Sequence, residues 1–412
     1  MSITLHIDEI AFGGRGMARQ DGKVCFVPGV LPGETVEVET VRDRGDFLEA
    51  RALLLHSSSP HRINPACPLA LRLPSGRSRP PVMHSLVCPG CCYQHMTYAE
   101  ELLIKQNQLC SLLEHRFPGV AACCAEPVAA PAPLGYRNKM ALHTARNGYE
   151  TRLGYFMEDN KTILDIPACP LAMTALNECL AERRSNASFM HGLRDGMTLT
   201  FRWTMRDGAL WWRGRAAEND VWLVEDSPIG PLSVPRNSFF QTNPAVSRLL
   251  VEEVTRLLAA ERPERLVDLY CGVGVFALAA AQQGVPTVVG LDVDGPALKA
   301  AQYNGRNLGY PGIQWVAGSA HKTSLANLPG KPNLPTTVIV DPPRTGLGRP
   351  MVRELAVLAP ARILYISCAA DTMARDIGWL REAGYTIRQS RLFDMFPRTP
   401  HFESLTELRN DR

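Results

Sequence analysis

No stretch of the 412-residue chain approaches the roughly 20 consecutive apolar residues that a membrane-crossing helix needs. Asp8, Glu9 and Arg15 interrupt the opening residues, so no leader-like run stands there, and a cytoplasmic protein with no membrane partner is the expectation. Charge of one sign is also lacking: the formal net charge is only +3, too mild to argue for or against a nucleic-acid partner, since phosphate affinity depends on local clustering. Neither a solenoid-length repeat nor a low-complexity period is present, although 32 Pro and 32 Gly imply many loops. Cysteine is not scarce. Twelve are scattered through a long chain, a usage that fits reduced thiols, a metal site or catalysis better than a disulfide framework.

Three compositional stretches follow one another. Residues 1–58 hold short alternating runs such as Thr35-Val36-Glu37-Val38-Glu39 between Gly13-Gly14, Pro28-Gly29 and Pro32-Gly33 turns, and read as a small β-barrel. Through Gly13-Gly14-Arg15-Gly16 and the segment Val27 to Val38, this stretch resembles a TRAM domain, an OB-like RNA-binding barrel. Arg15, Arg19, Lys23, Arg42 and Arg44 would then line a phosphate-facing surface. Residues 59–235 read as α+β, with a helix over Glu100 to Phe117 and strands over Thr198 to Trp203 and Leu210 to Gly214. Residues 236–412 alternate apolar strand, Gly turn and amphipathic helix, the mark of an α/β, Rossmann-like parallel sheet. Strands are expected at Arg265 to Leu269, Thr287 to Leu291, Ile313 to Ala317, Thr337 to Val340 and Arg362 to Ile366. Ligands of such sheets bind beyond the carboxyl ends of the strands, where Tyr270, Asp292, Asp341 and Cys368 fall.

Asp268-Leu269-Tyr270-Cys271-Gly272-Val273-Gly274 ends one strand and opens a helix, and its glycines let the backbone approach a nucleotide without Cβ collision. Asp292 closes the next strand 18 residues after Gly274, where a carboxylate accepts hydrogen bonds from both ribose hydroxyls. Ala277 completes a G-x-G-x-x-A pattern, so these motifs alone do not separate S-adenosylmethionine from NAD. Asp341-Pro342-Pro343-Arg344 is more specific: two prolines fix a rigid turn and remove two backbone donors, which suits a substrate ring packed against carbonyls. The aromatic residue typical of exocyclic-amine methyltransferases after such a Pro-Pro pair is missing, and so is the Cys of a 5-methylcytosine enzyme. Cys368 opens a helix after the strand Arg362 to Ile366, where the positive dipole end favours thiolate. A Cys in isolation is more often a small hydrophobe; its place at the ligand edge of the sheet carries the functional reading.

Phe239-Phe240-Gln241-Thr242-Asn243, the Asp268 to Gly274 turn, Asp341 to Leu347, Ser367-Cys368 and the run Asp394 to Glu403 occur together in one order. In this the chain resembles the RNA uracil-5-methyltransferases from end to end. The resemblance implies cofactor contacts from Gln241, Tyr270, Asp292 and Asp341 to S-adenosylmethionine, a nucleophile at Cys368 and a general base at Glu403. Carbon 5 of uracil is a poor nucleophile, which is why a thiol must add to carbon 6 and a base must later remove the carbon-5 proton. The flipped base needs walls, for which Phe239, Phe240, Phe396 and Phe402 are candidates. Arg137 and Lys139, in Gly135-Tyr136-Arg137-Asn138-Lys139, are read as RNA-facing, and Val275 stands where the family often has a small polar residue.

Cys88-Pro89-Gly90-Cys91 is a tight pair, with Cys67 and Cys169 as further thiols, and spacing alone does not choose between zinc and iron–sulfur. The resemblance implies a 4Fe-4S cluster on these four. Twenty residues separate Cys67 from Cys88, more than the family's usual five or so, and Cys92 adds a spare thiol. The C-x3-C-x2-C pattern of radical enzymes is absent, so the cluster is expected to serve structure or RNA positioning. The favoured partner is 23S ribosomal RNA, the runner-up the T-loop of transfer RNA, and a monomer is expected. Two competing readings, a dehydrogenase using NAD and a non-catalytic RNA-binding protein, leave the Asp-Pro-Pro-Arg turn and Cys368 without purpose.

Overall fold

The computed structural model describes residues 2–74, 87–148, 150–215, 222–330 and 334–411; most of the insertion between Leu69 and Val87 lies outside them. The N-terminal unit is a six-stranded sheet in the order Ser2–His6, Thr35–Asp43, Phe47–Ser57, Lys23–Pro28, Arg15–Gln20, Glu9–Ile10. Its alternating apolar positions, among them Leu5, Ile7, Cys25, Val27, Val36 and Val38, close into one core, as a TRAM-type barrel requires. Part of its basic face is matched by acid: Arg15 and Arg44 both face Glu49, and Lys23 pairs with Asp43 at 3.0 Å.

A five-stranded antiparallel sheet follows, ordered Ile163–Asp165, Glu150–Phe156, Lys139–Asn147, Thr198–Thr204, Gly208–Arg213. One face buries Met140, Leu142, Leu153, Leu199 and Phe201 against Leu176 and Leu180 of helix Thr174–Ser185.

The C-terminal sheet has eight strands, ordered Gln314–Ala317, Thr287–Asp292, Arg265–Leu269, Thr336–Val340, Arg362–Ser367, Glu403–Asn410, Tyr385–Phe393, Cys124–Val128. The first five run parallel and Glu403–Asn410 runs antiparallel to Arg362–Ser367. The expected strands stand within a residue or so of their predicted bounds, because β-branched runs between Gly and Pro turns leave little freedom there. Helix Gly348–Leu358 carries Pro350 in its first turn, where its missing N–H costs nothing.

Helix Tyr98–Arg116 and strand Cys124–Val128 come from the middle of the chain yet belong to the C-terminal core: Leu109, Leu113 and Phe117 pack with Val338, Tyr365 and Ile377. That helix buries Lys105, whose Nζ donates to Glu101 at 2.8 Å and to Asp394 at 2.7 Å, all three without solvent exposure. Glu101 also accepts the Arg398 backbone N–H at 2.6 Å and faces its guanidinium. Removing one member strands a buried charge, at a cost of about 3–5 kcal/mol. Glu101→Ala is therefore expected to lower the melting temperature markedly in calorimetry; a melting curve superimposable on wild type would show that the cluster holds nothing.

Candidate active site

The strand order reverses around Arg265–Leu269, and beyond the carboxyl ends of it and its two neighbours lie Tyr270, Asp292 and Asp341. Asp268 is buried and accepts the Ala277 N–H at 2.9 Å, pinning the first turn of helix Val275–Gln282 to the strand. Tyr270 has φ of +64°, a left-handed conformation that a side chain rarely adopts and that recurs at functional sites. Gly274 has φ of +89°, and a Cβ there would collide with the ring of Trp315. Asp292 accepts the Gly272 N–H at 2.7 Å and the Asp294 N–H at 2.8 Å, one on each oxygen, so its carboxylate shapes the turn and keeps a lone pair on each oxygen for a hydroxyl.

Gln241 enters from the segment before helix Pro244–Ala260. Its backbone carbonyl accepts from Asn138 Nδ2 at 3.4 Å, and Thr242 accepts the Asn138 N–H at 2.9 Å. Asn243 caps the helix through Val246 N–H at 3.3 Å and donates to Met395 O at 3.1 Å. The Gln241 side-chain oxygen is buried and has no hydrogen-bond partner among the described residues. A buried acceptor left orphaned is costly in a finished core and is what a site built for a polar ligand displays. With the exposed lone pairs of Asp292, it fits the donor-rich amino acid and ribose ends of S-adenosylmethionine.

Cys368 and Glu403 come together through strand register. Ser367 pairs with Ser404 at the end of the antiparallel ladder, so the residues one step beyond, Cys368 and Glu403, flank the same sheet end. Ser404 Oγ donates to Ser367 O at 3.3 Å and fixes that end. The Asp341 turn is clamped against the helix that follows Cys368: Asp376 accepts from Leu347 N at 2.6 Å and from Tyr365 OH at 2.9 Å, and Thr372 Oγ1 donates to Arg344 O at 3.1 Å. This brings the Arg344 guanidinium near the thiol, where its positive charge favours the thiolate.

The expectation that the helix start favours thiolate is corrected here. Burial, with Glu403 and Asp341 adding negative charge, pushes the Cys368 thiol up to about 11, and Arg344 only partly offsets them. Burial also raises Glu403 well above the usual carboxylate range, and Asp341 to about 7. Cys368 therefore rests as a protonated thiol. Of the four phenylalanines, Phe402 and Phe240 are buried, Phe396 is half-buried, and Phe239 is 70% exposed at the mouth. Arg137 is half-buried near Cys169 and Cys91, and Lys139 is half-buried too. Sequence reasoning missed Arg344 as the thiol's partner, although it stood in the motif, and Asp376, for which the sequence carried no signal.

Cys67, Cys88, Cys91 and Cys169 line one small cavity with Gln94, Tyr155 and Ile166, whereas Cys92 lies against Gly14 of the barrel and takes no part in it. Gln94 braces the wall by accepting the Cys67 N–H at 2.9 Å. Burial raises the Cys91 thiol to about 12, the other three cysteines adding to the effect. Among the described residues no three His, Cys, Asp or Glu converge as a single ion demands, roughly 3.8 Å between sulfurs for 2.3 Å bonds. Four thiols thus surround one apolar-walled hollow, without the convergence of a single-ion site among the described residues.

The thiol's elevation has a direct consequence. At pH 8 only about one Cys368 in a thousand is ionised, so alkylation by iodoacetamide should be slow and climb about tenfold per pH unit towards 11. Glu403→Gln removes a negative neighbour and should shift that profile to lower pH; mass mapping at Cys368 measures both, and an unshifted profile would break the assigned contact.

Residues 231–410 match the family model described as tRNA (Uracil-5-)-methyltransferase, and residues 2–53 match the TRAM domain. An uncharacterized RNA methyltransferase of Nostoc is 28% identical over 97% of this chain and 95% of its own length. Another from Nitratidesulfovibrio vulgaris is 28% identical over 100% and 96%. Among solved structures, the tRNA (uracil-54, C5)-methyltransferase of Pyrococcus abyssi, in complex with S-adenosyl-L-homocysteine, shares the fold with a TM-score of 0.73 at 24% identity, over 98% of this chain and all of that one. These matches identify residues 231–410 as an RNA uracil-5-methyltransferase domain and residues 2–53 as a TRAM domain, the parts of an S-adenosylmethionine-dependent RNA uracil methyltransferase.

Proposed function

We propose that this enzyme methylates carbon 5 of a uridine in 23S ribosomal RNA through a covalent bond between Cys368 and carbon 6. The observation that carries the reading is the Ser367–Ser404 register, which sets Cys368 beside Glu403 at the sheet end that also holds Asp341. When bound, S-adenosylmethionine supplies an electrophilic methyl group. Cys368 gives up its thiol proton to solvent and its Sγ adds to carbon 6; the π pair moves to carbon 5, which takes the methyl group as the methyl–sulfonium bond breaks. The positive charge of Arg344 stabilises the thiolate as it forms. Glu403 then removes the carbon-5 proton, and the carbon 6–sulfur bond breaks to return the thiolate. Its raised pKa makes it a stronger base than a solvated carboxylate once ionised. Gln241, Tyr270, Asp292 and Asp341 bind and orient the cofactor; Asp341, ionised above about pH 7, faces its positive charge.

Cys67, Cys88, Cys91 and Cys169 would hold a 4Fe-4S cluster, whose contribution is to brace the segment that contacts the barrel and the Arg398 loop. Ribosomal RNA is favoured because a separate barrel adds a second RNA-holding surface outside the catalytic sheet; the T-loop of transfer RNA is the alternative.

Incubating the protein and S-adenosylmethionine with 5-fluorouridine-containing ribosomal or transfer RNA fragments decides both points. Fluorine does not leave as a proton does, so a denaturant-stable adduct should form at Cys368 with ribosomal fragments and disappear in Cys368→Ala. An adduct only with transfer RNA would reassign the substrate, and none with either would refute thiol addition. Cofactor affinity should rise as pH passes from 6 to 8, because the cation selects ionised Asp341; calorimetric titration of Asp341→Asn should show that slope lost.

A further inference from the structure

The five-stranded central sheet buries one face in a core, and strand register fixes what lies on the other. Ala141 pairs with Thr200, which pairs with Trp212, so these three cross the sheet in a row. His143 is two residues from Ala141 on the same face and pairs with Gly154, which puts Phe156 on that face as well. Ala141 and Thr200 are small and make a floor. On one side stand the rings of His143 and Phe156, 4.3 Å apart, with Phe156 37% exposed. On the other stands Trp212, two strands or about 10 Å from Ala141, with the Arg236 guanidinium 5.6 Å from its ring. The trough begins at Lys139, whose neighbour Asn138 bonds to the Gln241–Thr242 backbone. It therefore leads away from the segment that carries Gln241, in which Phe239 is 70% exposed.

A uridine drawn into that mouth leaves its neighbours unstacked, and unpaired bases are held by aromatic faces and guanidinium planes. We infer that this open sheet face is a lane for single-stranded RNA next to the target uridine, with flanking bases stacking on Phe156 and Trp212. The inference rests on the RNA-methylating function and names the surface that presents the substrate. Phe156 and Trp212 are positioning residues: they touch neither the cofactor nor the reacting carbon. Ring walls at strand spacing, with the Arg236 guanidinium beside Trp212, suit a polyanion carrying flat bases better than an apolar peptide.

Two measurements test it on the full-length protein. Wild type is irradiated with an RNA carrying 4-thiouridine one or two nucleotides from the target, and cross-linked peptides are sequenced; this needs no turnover. Links are expected in the peptides containing Phe156 or Trp212. Separately, Phe156→Ser and Trp212→Ala should each raise the KM for RNA about 5- to 100-fold, from about 1–3 kcal/mol per stacked base, with kcat and cofactor affinity unchanged. Trp211→Phe, on the opposite, core-packed face, should leave the KM for RNA as it was. Cross-links confined to the barrel, or an unaltered KM in both variants, would overturn the lane even where the Cys368 adduct forms. Adduct failure with sheet cross-links intact would strike the thiol mechanism alone. If the face instead retains a protein and no RNA cross-link, the lane is refuted in favour of a protein contact.

Discussion

Everything at the catalytic end depends on where the chain runs between Asp394 and Glu403, and four buried charges decide that. Lys105 and Arg398 are balanced by Glu101 and Asp394, a neutral set with almost no solvent. Such a set is not a cheap source of stability, because desolvating four ions costs nearly what their attraction returns. Its value is directional. Arg398 sits at φ of +68° with its N–H on Glu101, its guanidinium on Met96 O at 2.8 Å and its carbonyl accepting from Cys92 and Tyr93. Five residues later the chain enters the strand that starts at Glu403. The same peptide unit thus ties the cysteine-bearing segment to the loop that delivers the base.

Low dielectric governs the chemistry as well. Glu403, Asp341 and Cys368 share a dry pocket in which each negative charge disfavours the next, and Arg344 is the cation among their neighbours that opposes this. A pocket so arranged keeps its thiol protonated and unreactive towards stray electrophiles while empty. Adding positive charge shifts all three groups towards their ionised forms. A cation bound beside them would therefore favour the Cys368 thiolate.

The C-terminal sheet was legible because its strands are short apolar runs bounded by glycine, proline and aspartate, and because their ends carry the chemistry. Cys368 could be placed by that logic, whereas Glu403 could not: it opens an antiparallel strand, and only the Ser367–Ser404 pairing shows that it arrives beside the thiol. The assignment of helix Tyr98–Arg116 to the catalytic core was hidden for a related reason. Its partners Asp394 and Arg398 lie nearly 300 residues away in sequence, and a pattern of local periodicity does not carry contacts at that range.

The four-thiol hollow and the charge cluster share the segment from Cys88 to Tyr93, which clarifies what a bound group there would do. Cys88 and Cys91 face the hollow, while the N–H groups of Cys92 and Tyr93 point the other way, onto Arg398. One short turn therefore has a thiol side and an amide side. Holding the thiols fixes the amides, and the amides hold the loop that ends at the base. A group in the hollow would act on catalysis by restraining that turn, at a distance from the reacting carbon and without exchanging electrons with it, which is the role open to a cluster in an enzyme whose reaction transfers no electrons.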